Sequence, residues 1–324
     1  MKTCFVTGGS GFVGRPLVRA LIANGYAVRA LARSATSARE LQAAGAEVVM
    51  GELSDPAALR RGCEDAVTVI NCAGHLKMWD TEEVFRKTNV EGTRNLLGAA
   101  KSVGVRRFVQ IGASASVMGN PKAMVDIRED TYPLSFPDWS PYIKTKAEAE
   151  ALVLKENSSN FSTSVIRPPL IWGVGSPLLP DVVREVRSGR FGWINRGEYE
   201  FSACHVRNVV QAILLAAERA SGGRSYFVTD GRNYVFRRFF TELLATQETS
   251  APSRSFPFRV AWTLAPVVEG AWSVLHLKND PPLTRQMVRM IGLPFTLNID
   301  RARQGLQYEP AFQFEQGIRE LKGA

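Results

Sequence analysis

Lys2-Thr3-Cys4-Phe5-Val6-Thr7 runs straight into Gly8-Gly9-Ser10-Gly11-Phe12-Val13-Gly14, and a helical pattern from Pro16 to Asn24 follows. The first six residues read as a short buried strand, so the glycines occupy a strand-to-helix turn. In that context a glycine-rich turn lets a pyrophosphate approach the backbone. The helix start supplies unpaired N–H groups and a dipole that favours the anion. Two spacings fit equally well, Gly9-x-Gly11-x-x-Gly14 and Gly8-x-x-Gly11-x-x-Gly14. The motif predicts a dinucleotide held by Gly8, Ser10, Gly11, Phe12, Val13 and Gly14.

The next strand, read over Tyr26–Ala32, carries the choice of cofactor. An acidic residue about 20 positions past the glycines would grip the ribose 2′-hydroxyl of NAD. Ala32, Arg33 and Ser34 stand there instead. No carboxylate repels a 2′-phosphate, and the Arg33 guanidinium is available to pair with it, so NADP(H) is favoured over NAD(H). Glu52 and Leu53, after a third strand over Glu47–Met50, are expected beside the adenine.

Further apolar runs at Val67–Asn71, Phe108–Gly112 and Ser164–Arg167 alternate with helical patterns at Ala35–Ala44, Pro56–Arg61, Thr81–Ser102 and Pro141–Glu156. This alternation predicts an α/β fold, a doubly wound parallel sheet of the Rossmann kind with both faces covered. After Arg167 the pattern is broken by Pro168-Pro169, Gly173, Gly175, Pro177 and Pro180. The expected division is a dinucleotide-binding domain over 1–170, with 201–230 returning to it. Segments 171–200 and 231–324 would form a smaller, mostly helical substrate lobe.

Ser140-Pro141-Tyr142-Ile143-Lys144-Thr145-Lys146 carries chemistry. Ser140 suits an N-cap and Pro141 the first helical position. Tyr142 and Lys146, four apart, share a helix face. A neighbouring ammonium and the helix N-terminus favour the phenolate, so a lowered Tyr142 pKa is expected. Such a phenol can exchange a proton with an alcohol or carbonyl oxygen.

Composition agrees with a globular protein whose apolar residues make up 45% of the chain. The four cysteines (Cys4, Cys63, Cys72 and Cys204) are scattered without paired spacing, which reads as reduced and cytoplasmic. His75, His205 and His276 are too far apart in the chain to suggest a metal site. After Lys2 the apolar run is short, so no secretory leader is expected. The net charge of +9 comes with no basic run and no aromatic–basic interleaving, so no nucleic-acid partner is expected.

With these motifs in view, the chain resembles an extended short-chain dehydrogenase/reductase, most similar to the 3β-hydroxysteroid dehydrogenase-like branch. The matching pieces are Thr7–Gly14, Asn71-Cys72-Ala73-Gly74, Asn89–Leu96, Ser114–Gly119, Tyr142 with Lys146, Arg167–Gly173, His205–Val209 and Tyr226–Gly231. The resemblance implies that Ser114 hydrogen-bonds the substrate oxygen and that Tyr142 is the general acid or base. Lys146 would hold the nicotinamide ribose, and Asn89 would support the site. Cys72, Ala73 and Gly74 would pass under the cofactor, and Pro169 would lie by the nicotinamide. Ser116 is the competing serine. Met118 and Arg207 depart from residues common in sugar-nucleotide relatives. Homodimers through the helices holding Asn89–Ser102 and Tyr142–Glu156 are implied by analogy.

The activity so implied is hydride transfer between a nicotinamide and a secondary alcohol or ketone of an apolar substrate, steroid-, terpenoid- or fatty-like. Sugar-nucleotide epimerisation or dehydration with tightly bound NAD is the alternative, and a non-enzymatic dinucleotide-binding regulator is a third reading. Trp172, Phe191, Trp193, Phe201, Phe256, Phe258, Trp262 and Trp272 are candidates for an apolar pocket or for ordinary core. Segment 256–277 is apolar with two prolines. It reads first as a buried or substrate-capping helix. Trp262, Trp272, Arg254, Arg259 and Lys278 offer a second reading, peripheral membrane contact.

Overall fold

The computed structural model describes residues 2–277 and 279–323; Lys278 lies outside the described residues. The chain begins β1 (Lys2–Thr7), α1 (Gly14–Ala23), β2 (Tyr26–Ala32), α2 (Ala35–Ala43), β3 (Glu47–Met50), α3 (Pro56–Cys63) and β4 (Ala66–Asn71). It continues α4 (Glu82–Arg86), a π-helical turn (Lys87–Glu91), α5 (Gly92–Ser102), β5 (Arg107–Ile111), a 3₁₀ turn (Ser114–Val117), β6 (Met124–Ile127), α6 (Pro141–Lys155) and β7 (Ser162–Arg167). Then come β8 (Leu170–Trp172), α7 (Leu178–Arg187), β9 (Trp193–Ile194), β10 (Glu200–His205), α8 (Val206–Arg219) and β11 (Arg224–Phe227). The last part holds β12 (Asn233–Val235), α9 (Phe236–Ala245), β13 (Ser255–Phe256), α10 (Phe258–Val274), α11 (Arg285–Ile291), β14 (Phe295–Leu297), α12 (Asp300–Leu306) and α13 (Phe314–Lys322).

Seven strands form one parallel sheet in the order β11-β7-β5-β4-β1-β2-β3. The strands are apolar on both faces because both are covered. Cys4 and Val6 point to the face packed by Leu17, Leu21 and Ile213 of α1 and α8. Phe5 points to the opposite face, with Leu59, Leu96 and Val153 of α3, α5 and α6. The chain winds outward from β1 to β3 and then returns to β4 on the other side of β1. That reversal opens a crevice above the carboxyl ends of β1 and β4, the general ligand position of such sheets.

Segment 201–230 divides between two sheets. β11 joins the seven-stranded sheet, whereas β10 joins a smaller one of order β12-β10-β14-β6, with β8 beside β10. The later part of the chain is therefore not purely helical. Trp172, Trp193 and Phe201 are buried with Phe236, Phe239 and Phe240 in an aromatic core under this second sheet, so these three are packing residues rather than pocket lining. Asp230 ties that region together. Its carboxylate accepts from the His205 backbone N–H (2.7 Å), Asn208 Nδ2 (2.7 Å), Trp172 Nε1 (2.8 Å) and the Tyr234 hydroxyl (3.0 Å). Arg207 pairs with Glu320 of α13 at 2.6 Å.

The single helix expected over Thr81–Ser102 is instead interrupted by the π-helical turn. The extra residue per turn rotates Asn89 inward, a device found mostly at functional sites.

Candidate active site

The glycine turn comes first. Gly8 sits at φ +68°, a left-handed conformation, and a Cβ there would lie 2.6 Å from Ala73 N. A Cβ on Gly14 would lie 2.1 Å from the Gly8 carbonyl oxygen. A Cβ on Gly9 would meet only side chains, Leu41 Cδ2 at 3.0 Å, Val18 Cγ2 at 3.3 Å and Ala30 Cβ at 3.6 Å. The backbone thus decides between the two spacings in favour of Gly8-x-x-Gly11-x-x-Gly14. Gly9→Ala is expected to keep dinucleotide affinity within about threefold. Gly8→Ala should lose at least about tenfold, since left-handed backbone and backbone overlap both oppose it. Equal losses in a fluorescence titration would contradict the assignment. This close, Cβ-free turn at the start of α1 fits a pyrophosphate.

Beneath the crevice runs a buried polar chain. The Thr7 hydroxyl donates to Asn71 Oδ1 (2.6 Å), and Asn71 Nδ2 donates to Gln110 (2.9 Å) and Thr93 (3.2 Å). Asn71 Oδ1 also accepts from the Ala73 N–H at 3.2 Å, which fixes Cys72, Ala73 and Gly74 over the end of β4. Burial pushes the Cys72 thiol up to about 12, so it is no nucleophile at neutral pH.

The catalytic candidates converge on that strand end. Ser140 caps α6, its hydroxyl accepting from the Ile143 N–H at 3.2 Å. Tyr142 lies in the first turn, and Lys146 lies one turn on, both buried. Lys146 Nζ donates to the Ile111 carbonyl oxygen at 2.8 Å and lies 3.9 Å from where a Cβ on Gly74 would be. Ser114 is buried at the end of β5, its N–H donating to the Pro168 carbonyl (3.0 Å), which brings the Pro168-Pro169 corner to the same place. Ser116 faces elsewhere, its hydroxyl donating to Glu150 at 3.3 Å. Arg33 is exposed at the end of β2, Glu52 is exposed after β3, and Leu53 packs over Gly92.

The expected lowering of the Tyr142 pKa is corrected. Burial pushes the phenol up to about 12, and burial brings the Lys146 ammonium down to about 8, partly offset by Glu150. Desolvation outweighs the helix dipole here, and the lysine is spent on a backbone carbonyl rather than on the phenol.

The roles of two residues, His75 and Gln286, escaped the sequence reading. The His75 backbone is clamped by Asn89: Oδ1 accepts from the His75 N–H at 2.8 Å, and Nδ2 donates to the His75 carbonyl at 3.3 Å. Asn89 Nδ2 also reaches the Thr145 hydroxyl at 3.1 Å, which locks the loop after β4 to α6. Gln286 of α11 accepts from the Ser140 hydroxyl (2.8 Å) and donates to the Lys77 carbonyl (3.4 Å), joining a distant helix to the cap of α6. Adjacency to Gly74 was a usable signal for His75; for Gln286, 146 residues from its partner, there was none.

Residues 4–229 match the family described as "NAD dependent epimerase/dehydratase family". The chain belongs to that family. It is 39% identical over its whole length, and over 96% of the relative, to 4-hydroxy-2-methyl-3-oxo-4-farnesyl-3,4-dihydroquinoline-1-oxide ketoreductase of Stigmatella aurantiaca. It is 32% identical to sterol-4-alpha-carboxylate 3-dehydrogenase, decarboxylating, of Dictyostelium discoideum, over 99% of this chain and 100% of the relative. Its fold is shared with an Agrobacterium tumefaciens short-chain dehydrogenase/reductase superfamily protein solved with bound NAD (TM-score 0.75, 22% identity, 99% and 96% of the two chains). As a member of this NAD-dependent family with reductase and dehydrogenase relatives, the chain is an oxidoreductase.

Proposed function

We propose that this chain transfers hydride between NADP(H) and a secondary alcohol or ketone carbon of an apolar substrate, steroid-, terpenoid- or fatty-like. The observation that carries the reading is the meeting of α6 with the ends of β4 and β5, where buried Lys146 lies against Ile111 and Gly74. When bound, the nicotinamide supplies or accepts the hydride. Gly8, Gly11, Gly14 and the start of α1 would hold the pyrophosphate, and Lys146 would hold the ribose. The Tyr142 phenol, kept protonated by burial, gives its proton to the substrate oxygen in the reducing direction. Ser114 donates a hydrogen bond to that same oxygen. Asn89 keeps the distance between the His75 loop and α6 fixed. The farnesyl and sterol compounds in the names of the two relatives support an apolar substrate class.

The test is a turnover screen over hydroxysteroids, long-chain ketones and sugar nucleotides, read by absorbance of the reduced nicotinamide. Net oxidation of cofactor with an apolar ketone is the expected result, and turnover of sugar nucleotides alone would contradict it. Arg33 supports the preference for the phosphorylated cofactor, because no carboxylate stands beside it at the end of β2. Arg33→Asp is expected to lower the NADP-to-NAD preference by about tenfold or more, the scale of one charge-assisted contact replaced by repulsion. An unchanged ratio of kcat/KM values would show that Arg33 does not read the phosphate.

A further inference from the structure

A cavity of about 710 Å³ opens at the edge of the parallel sheet, beside β11. It is a different place from the crevice above β1 and β4, because β7 and β5 stand between β11 and β4. Its volume is within the range of pockets that take small molecules. One wall is apolar and is made by Pro133 and Leu134 with Leu154 at the end of α6. The rest is charged: the guanidinium groups of Arg167, Arg224 and Arg301 and the carboxylates of Glu129 and Asp130 line it.

The state of each charge decides what the cavity can hold. Arg167 is buried, taken by Glu150 at 2.5 Å and resting on the Phe227 ring 5.3 Å from its centroid. Arg301 is divided between Glu129 (3.5 Å) and Asp130 (3.1 Å). Glu129 is committed a second time, accepting from the Phe227 backbone N–H at 2.7 Å across the open edge of β11. Arg224, exposed at the start of β11, has no acidic partner among the described residues. Two of the three cations are thus answered from within the protein and one is not.

We propose that this cavity is a second ligand site, for a small amphipathic monoanion. Its carboxylate would pair with Arg224, and its aryl or short alkyl group would lie against Pro133, Leu134 and Leu154. The proposal goes beyond the reaction and does not rest on it. A guanidinium matches a carboxylate with two parallel hydrogen bonds, so one free arginine suffices to orient such a ligand. A neutral molecule of the same shape would cover Arg224 without pairing it, which costs binding. A polyanion such as a pyrophosphate fits less well, because its further charges would meet the Glu129 and Asp130 carboxylates. The apolar wall gives the ligand's other end surface to bury, which a bare inorganic anion could not use.

The experiment is calorimetric titration of the full chain with 4-phenylbutyrate and with its neutral amide, 4-phenylbutanamide. The carboxylate should bind at least about tenfold more tightly than the amide, the scale of one charge-assisted pair. Arg224→Gln should lose at least about tenfold in affinity for the carboxylate and none for the amide, with its unfolding midpoint unchanged because the side chain is exposed. Tyr142→Phe should bind the carboxylate as the wild type does, and saturating NADP(H) should not displace it. No heat of binding up to about 10 mM carboxylate, a concentration that would reveal affinities weaker than millimolar, overturns the proposal. Equal affinity in wild type and Arg224→Gln overturns it too, as does displacement by the cofactor, which would put the ligand in the crevice above β1 and β4. Ketone reduction is measured separately, so its failure would count against the reaction and leave the titration standing.

Discussion

Tyr142→Phe should reduce turnover by about 10²- to 10⁴-fold, the range of a single positioned acid or base, while cofactor affinity stays within a few-fold. The ring is buried against Phe85 (6.2 Å between centroids), and losing the hydroxyl leaves that packing in place. The fold should survive, so a loss of rate reports chemistry. Single-turnover reduction, with cofactor binding measured separately, checks the split. Burial puts the phenol at about 12 and the Lys146 ammonium at about 8. An alkaline limb beginning near about 8 would therefore belong to Lys146, and Tyr142 would stay a competent acid beyond it. Lys146→Met should remove that limb. Wild-type rates in Tyr142→Phe would end its assignment as the proton donor.

The second large effect is on stability. Glu150 and Arg167 form a fully enclosed ion pair: Arg167 Nε lies 2.7 Å and Nη2 2.5 Å from the carboxylate, with side-chain exposures of 0% and 4%. The pair ties α6 to β7 one turn after Lys146. Glu150→Ala strands a buried guanidinium and should cost about 3–5 kcal/mol, a large part of the ~5–15 kcal/mol that holds a domain folded. Glu150→Leu/Arg167→Met removes both charges and should recover most of the loss, since apolar replacement of a whole buried pair is often neutral. Urea unfolding of the wild type and the two variants measures this. A single-variant cost under about 1 kcal/mol would show that water already reaches the pair.

The parallel sheet was legible because its strands are short apolar runs between helical periods, and β1 through β5 and β7 lie within two residues of their expected bounds, whereas β6, in the smaller sheet, was not expected. The glycine turn was legible as a motif, but the choice between Gly8 and Gly9 needed backbone dihedrals. The π-helical turn around Asn89 was not legible, because its residues carry an ordinary helical pattern. The rise at Tyr142 was missed because spacing places a lysine nearby without saying where its ammonium goes; Ile111 takes it. Which side of segment 256–277 is buried was not legible either. A helix apolar on nearly every side reads as buried. Only the packing shows that Ala261, Ala265 and Glu269 face inward while Leu264 and Val267 do not.

The most direct test of the redox assignment is mass spectrometry of the product formed with reduced cofactor deuterated at C4. The account predicts one deuterium on the new carbinol carbon for each cofactor oxidised. Product that carries no label, formed with no net loss of reduced cofactor, would contradict it.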